Sequence, residues 1–253
     1  MQAWLNVVGF ISLRDSPASA LLASGSEVTA DAHDALSPSS PLPRYAATRI
    51  LERRSVDSVL RNLSQVQGGF TRDELRVLLQ YYRRANSILE WGMGTTTILA
   101  SQMGVPRLTA IESDFLFASQ VKERGNLSSH YRIVHVDIGE TGSWGRPLRK
   151  SAGRTRALWP FYSLGPITSE EPFDVYLVDG RFRVACACIA LLHGRNNSFV
   201  VIHDFPQRPR YQKILSVAMT SEAHDKLVVL RRNPDVDANV IKRLWDETKF
   251  DPS

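Results

Sequence analysis

Ile88-Leu89-Glu90-Trp91-Gly92-Met93-Gly94-Thr95-Thr96-Thr97 runs from an apolar strand through an acid and two glycines into a helix start. Glycines at such a turn let the backbone bend sharply and approach a ligand with no Cβ in the way, while the free N–H groups of the next helix face the same space. Outward from this stretch, β-rich runs at residues 87–90, 108–112, 131–136, 175–179, 199–203 and 227–231 alternate with helical runs at 96–103, 115–124, 184–192 and 211–219. Two further helical patterns precede them, one through Ile50, Val56, Val59, Leu60 and Leu63, the other through Leu75, Leu78, Leu79 and Tyr82. Strand and helix in alternation predict an α/β domain with a mostly parallel sheet and helices on both faces.

Open parallel sheets bind ligands beyond the carboxyl ends of their strands, so the residues that follow each strand carry the chemistry. The strand after the glycine turn ends in Glu112, 20 residues beyond Gly92, the spacing at which a carboxylate accepts both hydroxyls of a ribose. A dinucleotide fingerprint would place glycine or alanine where Thr97 stands, and Glu90 would repel a pyrophosphate. An acid in that place suits an ammonium or a sulfonium. These residues describe an adenosine ligand without a pyrophosphate, which disfavours a nicotinamide oxidoreductase.

Residues 90–97 resemble the first motif of the class I S-adenosylmethionine-dependent methyltransferases in its E-x-G-x-G-(S/T) form. Glu112, within Ile111-Glu112-Ser113-Asp114, resembles their ribose-binding acid, and Asp137 the residue near the adenine amine. Leu177-Val178-Asp179-Gly180-Arg181-Phe182-Arg183-Val184-Ala185 is similar to the fourth-strand motif of a little-characterised bacterial and algal branch. The match covers residues 70–231. It implies a Rossmann-like three-layer sandwich with a seven-stranded, mostly parallel sheet. It implies S-adenosyl-L-methionine as cofactor, held by Glu90, Gly92, Gly94, Thr95, Glu112 and Asp137. The implied activity is methyl transfer, most simply to an oxygen of a small molecule.

On the acceptor side, Asp179 ends the fourth strand and Asp204 the fifth, so both are expected at one rim, with His203 beside them as a candidate general base. Some small-molecule O-methyltransferases of the superfamily hold Mg²⁺ with acids at these two positions, which makes Asp179 and Asp204 candidate metal ligands. Phe205 and His203 depart from that pattern, and a His base would need no metal. Two other readings stand beside this one: a nucleic-acid methyltransferase, and a cofactor-binding module without turnover. The first is weakened because Asp179-Gly180-Arg181-Phe182 stands where amino-methylating nucleic-acid enzymes carry an Asn/Asp-Pro-Pro-aromatic motif.

Composition bounds the rest. The 253 residues carry a net charge of +5 and are 43% hydrophobic, enough for a sizeable core but too weakly basic to name a nucleic-acid partner. Cys186 and Cys188 are too few for a disulfide framework or a four-ligand zinc site. Residues 1–44, rich in Ser, Ala and Pro, read as a disordered or targeting lead-in to a domain over 45–253. Arg14, the first basic residue, follows the early apolar stretch rather than preceding it, unlike a signal peptide. With no apolar run near the ~20 residues that cross a bilayer, a soluble, cytoplasmic protein is the default, organellar targeting staying open. The long connection over 138–172 carries Trp144, Trp159, Phe161 and Tyr162 among Arg146, Arg149, Lys150, Arg154 and Arg156. It is expected to act as a lid whose basic residues suit a carboxylate or phosphate on the acceptor.

Overall fold

Thr71 opens the first long helix with a reciprocal cap: its hydroxyl accepts from the Glu74 amide at 3.2 Å, and the Glu74 carboxylate accepts from the Thr71 amide at 2.6 Å. The computed structural model describes residues 53–61, 63, 69–148, 153, 155–165 and 171–253. The lead-in expected over 1–44 lies outside them, as do Arg149, Lys150 and Arg154.

Helices α1 (Val56–Arg61) and α2 (Arg72–Arg84) precede the sheet. Then follow β1 (Ser87–Trp91), α3 (Thr95–Gln102), β2 (Arg107–Glu112), α4 (Phe115–Arg124) and β3 (Arg132–His135). After a long connection containing the short helix α5 (Pro160–Leu164) come β4 (Val175–Val178), α6 (Arg183–His193) and β5 (Phe199–Ile202). The chain closes with β6 (Ala218–His224), β7 (Leu227–Arg232) and α7 (Ala238–Thr248).

The seven strands lie in the order β3-β2-β1-β4-β5-β7-β6. The first five pair in parallel, with β1 central between β2 and β4, whereas β7 runs antiparallel to both β5 and β6. All five residues of β1 are buried, as a strand covered on both faces requires. Its alternate side chains feed two cores: Ile88 packs with Leu75, Leu78 and Leu79 of α2, while Leu89 and Trp91 pack with α6 and α7. The expected α/β sandwich is therefore present.

The end of the chain departs from strict alternation. Residues 211–219, expected as helix, form a 3₁₀ segment (Pro209–Ser216) and then enter β6. The β6–β7 hairpin turns on Asp225, whose φ of 48° is tolerated by a short polar side chain. α7 was not among the expected helices; Asp237 caps it by accepting from the Asn239 amide at 2.8 Å. Among the described residues no helix is long and apolar enough to cross a membrane.

Candidate functional site

The carboxyl ends of the parallel strands open into one cavity of about 1130 Å³. Its wall includes Gly92, Gly94 and Thr95 from the β1 turn, Glu112 at the end of β2, Asp179 after β4, and His203 with Asp204 after β5. Glu112 ends β2, and Gly92, Asp179 and His203 directly follow β1, β4 and β5, so parallel register brings these four to one rim.

The β1 turn depends on two glycines in contact. Gly92 has φ +93°, and a Cβ there would lie 2.5 Å from the Gly180 amide nitrogen. The Trp91 carbonyl accepts from both the Asp179 and Gly180 amides, at 2.9 and 2.7 Å, which draws the β4 loop against the turn. Gly94 differs: its backbone is extended (φ 173°), and a Cβ would meet nothing within 4 Å. That empty space belongs to the cavity, so Gly94 leaves room for an occupant rather than satisfying a backbone constraint.

Glu90 is not on the cavity wall. It is fully buried behind the turn, where one carboxylate oxygen accepts from the Tyr82 hydroxyl at 2.6 Å and the other from Thr97 at 2.5 Å and Thr96 at 3.3 Å. These contacts tie α2 and α3 to β1, so Glu90 shapes the turn instead of facing an ammonium or sulfonium as the sequence suggested. Burial pushes its carboxyl up to about 7 from an ordinary 4.5, against the three hydroxyl donors that favour the anion. The unfolded chain then releases this proton near 4.5, while the folded chain holds it to about 7. Stability from this group is present below 4.5 and declines as pH rises through the interval. Urea unfolding from pH 5 to 8 is expected to show that decline, up to roughly 3 kcal/mol, and Glu90→Gln to flatten it; an unchanged slope would contradict the assignment.

Glu112 is 7% exposed and is held by local donors. One oxygen accepts from the Ser113 amide (2.6 Å), the Asp114 amide (3.0 Å) and the Ser113 hydroxyl (3.1 Å), the other from the Met93 amide (3.2 Å). Burial raises its pKa, and the backbone donors oppose that rise. Glu112 lines the cavity, and its less crowded oxygen is tied to the β1 turn.

Asp137 is elsewhere. It is exposed, outside the cavity wall, and accepts from the Gly139 amide at 2.8 Å in a local turn. The cavity wall on this side is instead a tight hairpin over residues 140–148, closed by Gly142 N–H to Arg146 O at 2.8 Å and Leu148 N–H to Glu140 O at 2.8 Å. Trp144 at its tip is 79% exposed yet lines the cavity, and a Cβ on Gly145 would approach the Ser113 hydroxyl to 3.0 Å. This hairpin stands over Glu112.

The connection 138–172 thus divides. Its first part lines the cavity, whereas Trp159 and Tyr162 are 6% and 0% exposed and pack against Phe182, Tyr162 also reaching the cavity wall beside Gly180. The Trp159 indole donates to Ile138 O (2.9 Å), Trp91 donates to Tyr162 O (3.0 Å), and Trp245 of α7 donates to the Ser163 hydroxyl (3.0 Å). That half is packed into the core, with Tyr162 part of both core and cavity wall. Of the five basic residues expected to face the acceptor, Arg146 lines the cavity, while Arg156 sits over the Phe250 ring at 4.9 Å.

Asp179 and Asp204 do converge, and Arg183 lies between them. Its guanidinium is 3.2 Å from the Asp179 carboxylate and 3.6 Å from that of Asp204. It also donates to three backbone carbonyls, those of Gly180 (2.9 Å), Asp179 (2.6 Å) and His203. The space a divalent cation would share between these acids therefore holds a built-in cation. Among the described residues no group of three or more His, Cys, Asp or Glu is arranged to hold a metal, so the pair fits metal ligation poorly.

His203 stacks on Phe70 (3.8 Å between ring centres, 9° between planes), and its Nδ1 lies 2.9 Å from Asp179 Oδ1. Its Nε2 is buried, 3.8 Å from a Glu74 oxygen, without a hydrogen-bond partner among the described residues. Both ring nitrogens are thus turned to neighbouring acids, Nδ1 to Asp179 and Nε2 toward Glu74. Phe182 and Asp204 both adopt left-handed backbone, at φ 55° and 59°. For a buried aromatic such as Phe182 this is costly, a strain often found at functional sites.

A central β1 flanked by β2 and β4, a glycine turn after β1, an acid after β2 and an antiparallel β7 form the fold of the class I S-adenosylmethionine-dependent methyltransferases, and this chain has that fold. It is similar to the crystal structure of a methyltransferase-like protein from Silicibacter pomeroyi, at 26% identity over 70% of this chain and 93% of that one, with a TM-score of 0.61. It also resembles the N-methyltransferase NodS from Bradyrhizobium japonicum in complex with S-adenosyl-L-homocysteine (13% identity, 71% of this chain and 97% of that one, TM-score 0.42). A third similarity is to the MycE methyltransferase of the mycinamycin biosynthetic pathway in complex with Mg and SAH (13% identity, 73% and 57%, TM-score 0.46). No family model matches the sequence, and no curated protein matches it.

Proposed function

We propose that the cavity binds S-adenosyl-L-methionine and that the chain, as a methyltransferase domain over 45–253, transfers the methyl group to an oxygen of a small-molecule acceptor. The observation that carries the reading is the pairing, across one cavity, of the open space at Gly94 with the buried carboxylate of Glu112. Bound there, the cofactor supplies an already activated methyl on a sulfonium, so the residues mainly have to align donor and acceptor and keep water out.

Gly92, Gly94, Thr95 and the orphan amides of the first turn of α3 would receive the amino-acid end. Glu112 would accept the ribose hydroxyls. The hairpin over 140–148, rather than Asp137, would cover the base, with Trp144 free to stack on it. At the other end Asp179 faces the acceptor. His203 and Arg183 both engage Asp179 Oδ1, which leaves Oδ2 to accept the proton of an acceptor hydroxyl.

The test is calorimetry with S-adenosylhomocysteine and with NAD. Binding of the first and not the second is expected. Glu112→Ala should weaken S-adenosylhomocysteine binding by about 1.5–3 kcal/mol, roughly tenfold to a hundredfold, because hydrogen bonds to a charged acceptor are lost in a partly desolvated site. Wild-type affinity in that variant would overturn the ribose assignment.

A further inference from the structure

Arg181, Arg183, Arg208 and Arg210 line the cavity together with Asp179 and Asp204. Arg183 is matched by Asp179 and Asp204, but Arg181, Arg208 and Arg210 line the same cavity and form no ion pair among the described residues. Arg181 donates to the Pro252 carbonyl at a long 3.4 Å, and its Nε is buried without a partner. Burial and the neighbouring Arg183 cation pull the Arg181 guanidinium below its ordinary value, a cost that a bound anion would offset.

Arg208 and Arg210 flank Pro209 on a segment fixed at both ends. Phe205 is 7% exposed and Tyr211 is 2% exposed, and the intervening turn is closed by Arg208 N–H to Phe205 O (3.2 Å) and Tyr211 N–H to Arg208 O (2.8 Å). Two long cations are therefore held on an ordered backbone in the wall of the cavity that Arg181, partly desolvated, also lines. Like charges gathered in this way repel one another unless an anion lies among them. Guanidinium forks match the paired oxygens of phosphate and carboxylate.

We propose that Arg181, Arg208 and Arg210 form an oxyanion subsite that anchors a phosphate or carboxylate group of the acceptor and so sets which hydroxyl reaches Asp179. This rests on the methyltransferase reading, but its test does not require turnover. Inorganic pyrophosphate and citrate would be titrated by calorimetry into the full chain, with and without S-adenosylhomocysteine. At least one probe is expected to bind, pyrophosphate the tighter if the anchor is a phosphate and citrate if it is a carboxylate. The exposed pair Arg208→Gln/Arg210→Gln should weaken the probe at least tenfold while S-adenosylhomocysteine affinity and thermal midpoint stay at wild type. Arg181→Gln should act in the same direction. No binding of either probe, or binding indifferent to these variants, would overturn the subsite. So would a single-stranded oligonucleotide that bound more tightly than either probe and was lost in the double variant, since the arginines would then serve a nucleic acid. Failure of S-adenosylhomocysteine to bind, with probe binding intact, would sink the methyltransferase reading and leave the subsite standing.

Discussion

Replacing Arg183 by methionine is expected to destabilise the folded chain by about 3–5 kcal/mol, the cost of breaking a buried ion pair by removing one partner. The side chain is 6% exposed and is matched to two carboxylates. It also satisfies three carbonyls, at Asp179, Gly180 and His203, that no water reaches easily once methionine fills the space. Asp179 and Asp204 keep 20% and 29% side-chain exposure, so solvent would relieve part of their repulsion and the lower end of the range is the firmer figure. Urea unfolding measures the loss. A double-mutant cycle separates its parts: in an Asp179→Asn/Asp204→Asn background the same substitution should cost less, because the uncompensated charge is gone and only the carbonyls remain unpaired. A loss below about 1 kcal/mol in both backgrounds would mean that Arg183 is a surface cation and that the two acids need no bridge.

The residues at the site divide by how local their cause is. Gly92, Gly94, Glu112, Asp179 and Asp204 were legible in the sequence because each ends a strand or lies in the turn after one, and parallel register carries strand ends to one rim. Arg183 was legible only as a basic residue near that rim. That it bridges two acids depends on α6 starting right after the β4 turn, which periodicity does not report. Glu90 was assigned to the ligand because its tertiary partner, the Tyr82 hydroxyl, arrives from another helix. Asp137 was placed by analogy at the end of β3, where a local bond to Gly139 and the hairpin beyond it settle the matter differently.

The fold divides in the same way. The parallel strands read as apolar runs because helices cover both faces. β6 was missed because it is an edge strand, Ala-Met-Thr-Ser-Glu-Ala-His, with five consecutive exposed residues and hence no alternation to detect. α7 did carry a signal, with Val240, Ile241, Leu244 and Trp245 at helical spacing behind an Asp237 cap. Trp159 and Tyr162 were expected over the acceptor because aromatics in a long connection suggested a lid. Both are buried in the core, and Tyr162 also reaches the cavity wall from within it.

Gly92→Ala and Gly94→Ala are expected to fail in opposite ways, although the two positions are separated by one residue. At Gly92 both constraints apply at once: φ +93° disfavours any side chain, and the new Cβ would press on the backbone of Gly180 at 2.5 Å rather than on a movable side-chain tip. Gly180 cannot retreat easily, since the Trp91 carbonyl holds its amide at 2.7 Å and the Tyr162 hydroxyl stands against its other side. A loss of roughly 3 kcal/mol or more is expected, strain and displaced β4 loop together, and cofactor affinity should fall with it. At Gly94 the backbone is extended and nothing lies within 4 Å of the new methyl, so stability should change by under about 1 kcal/mol. The methyl would project into the cavity. S-adenosylhomocysteine affinity should therefore drop at least tenfold in a protein whose unfolding midpoint is nearly wild type. Should Gly92→Ala fail to fold, Gly94→Ala still separates the two roles, and undiminished ligand affinity there would show that the space beside Gly94 is not where the cofactor lies.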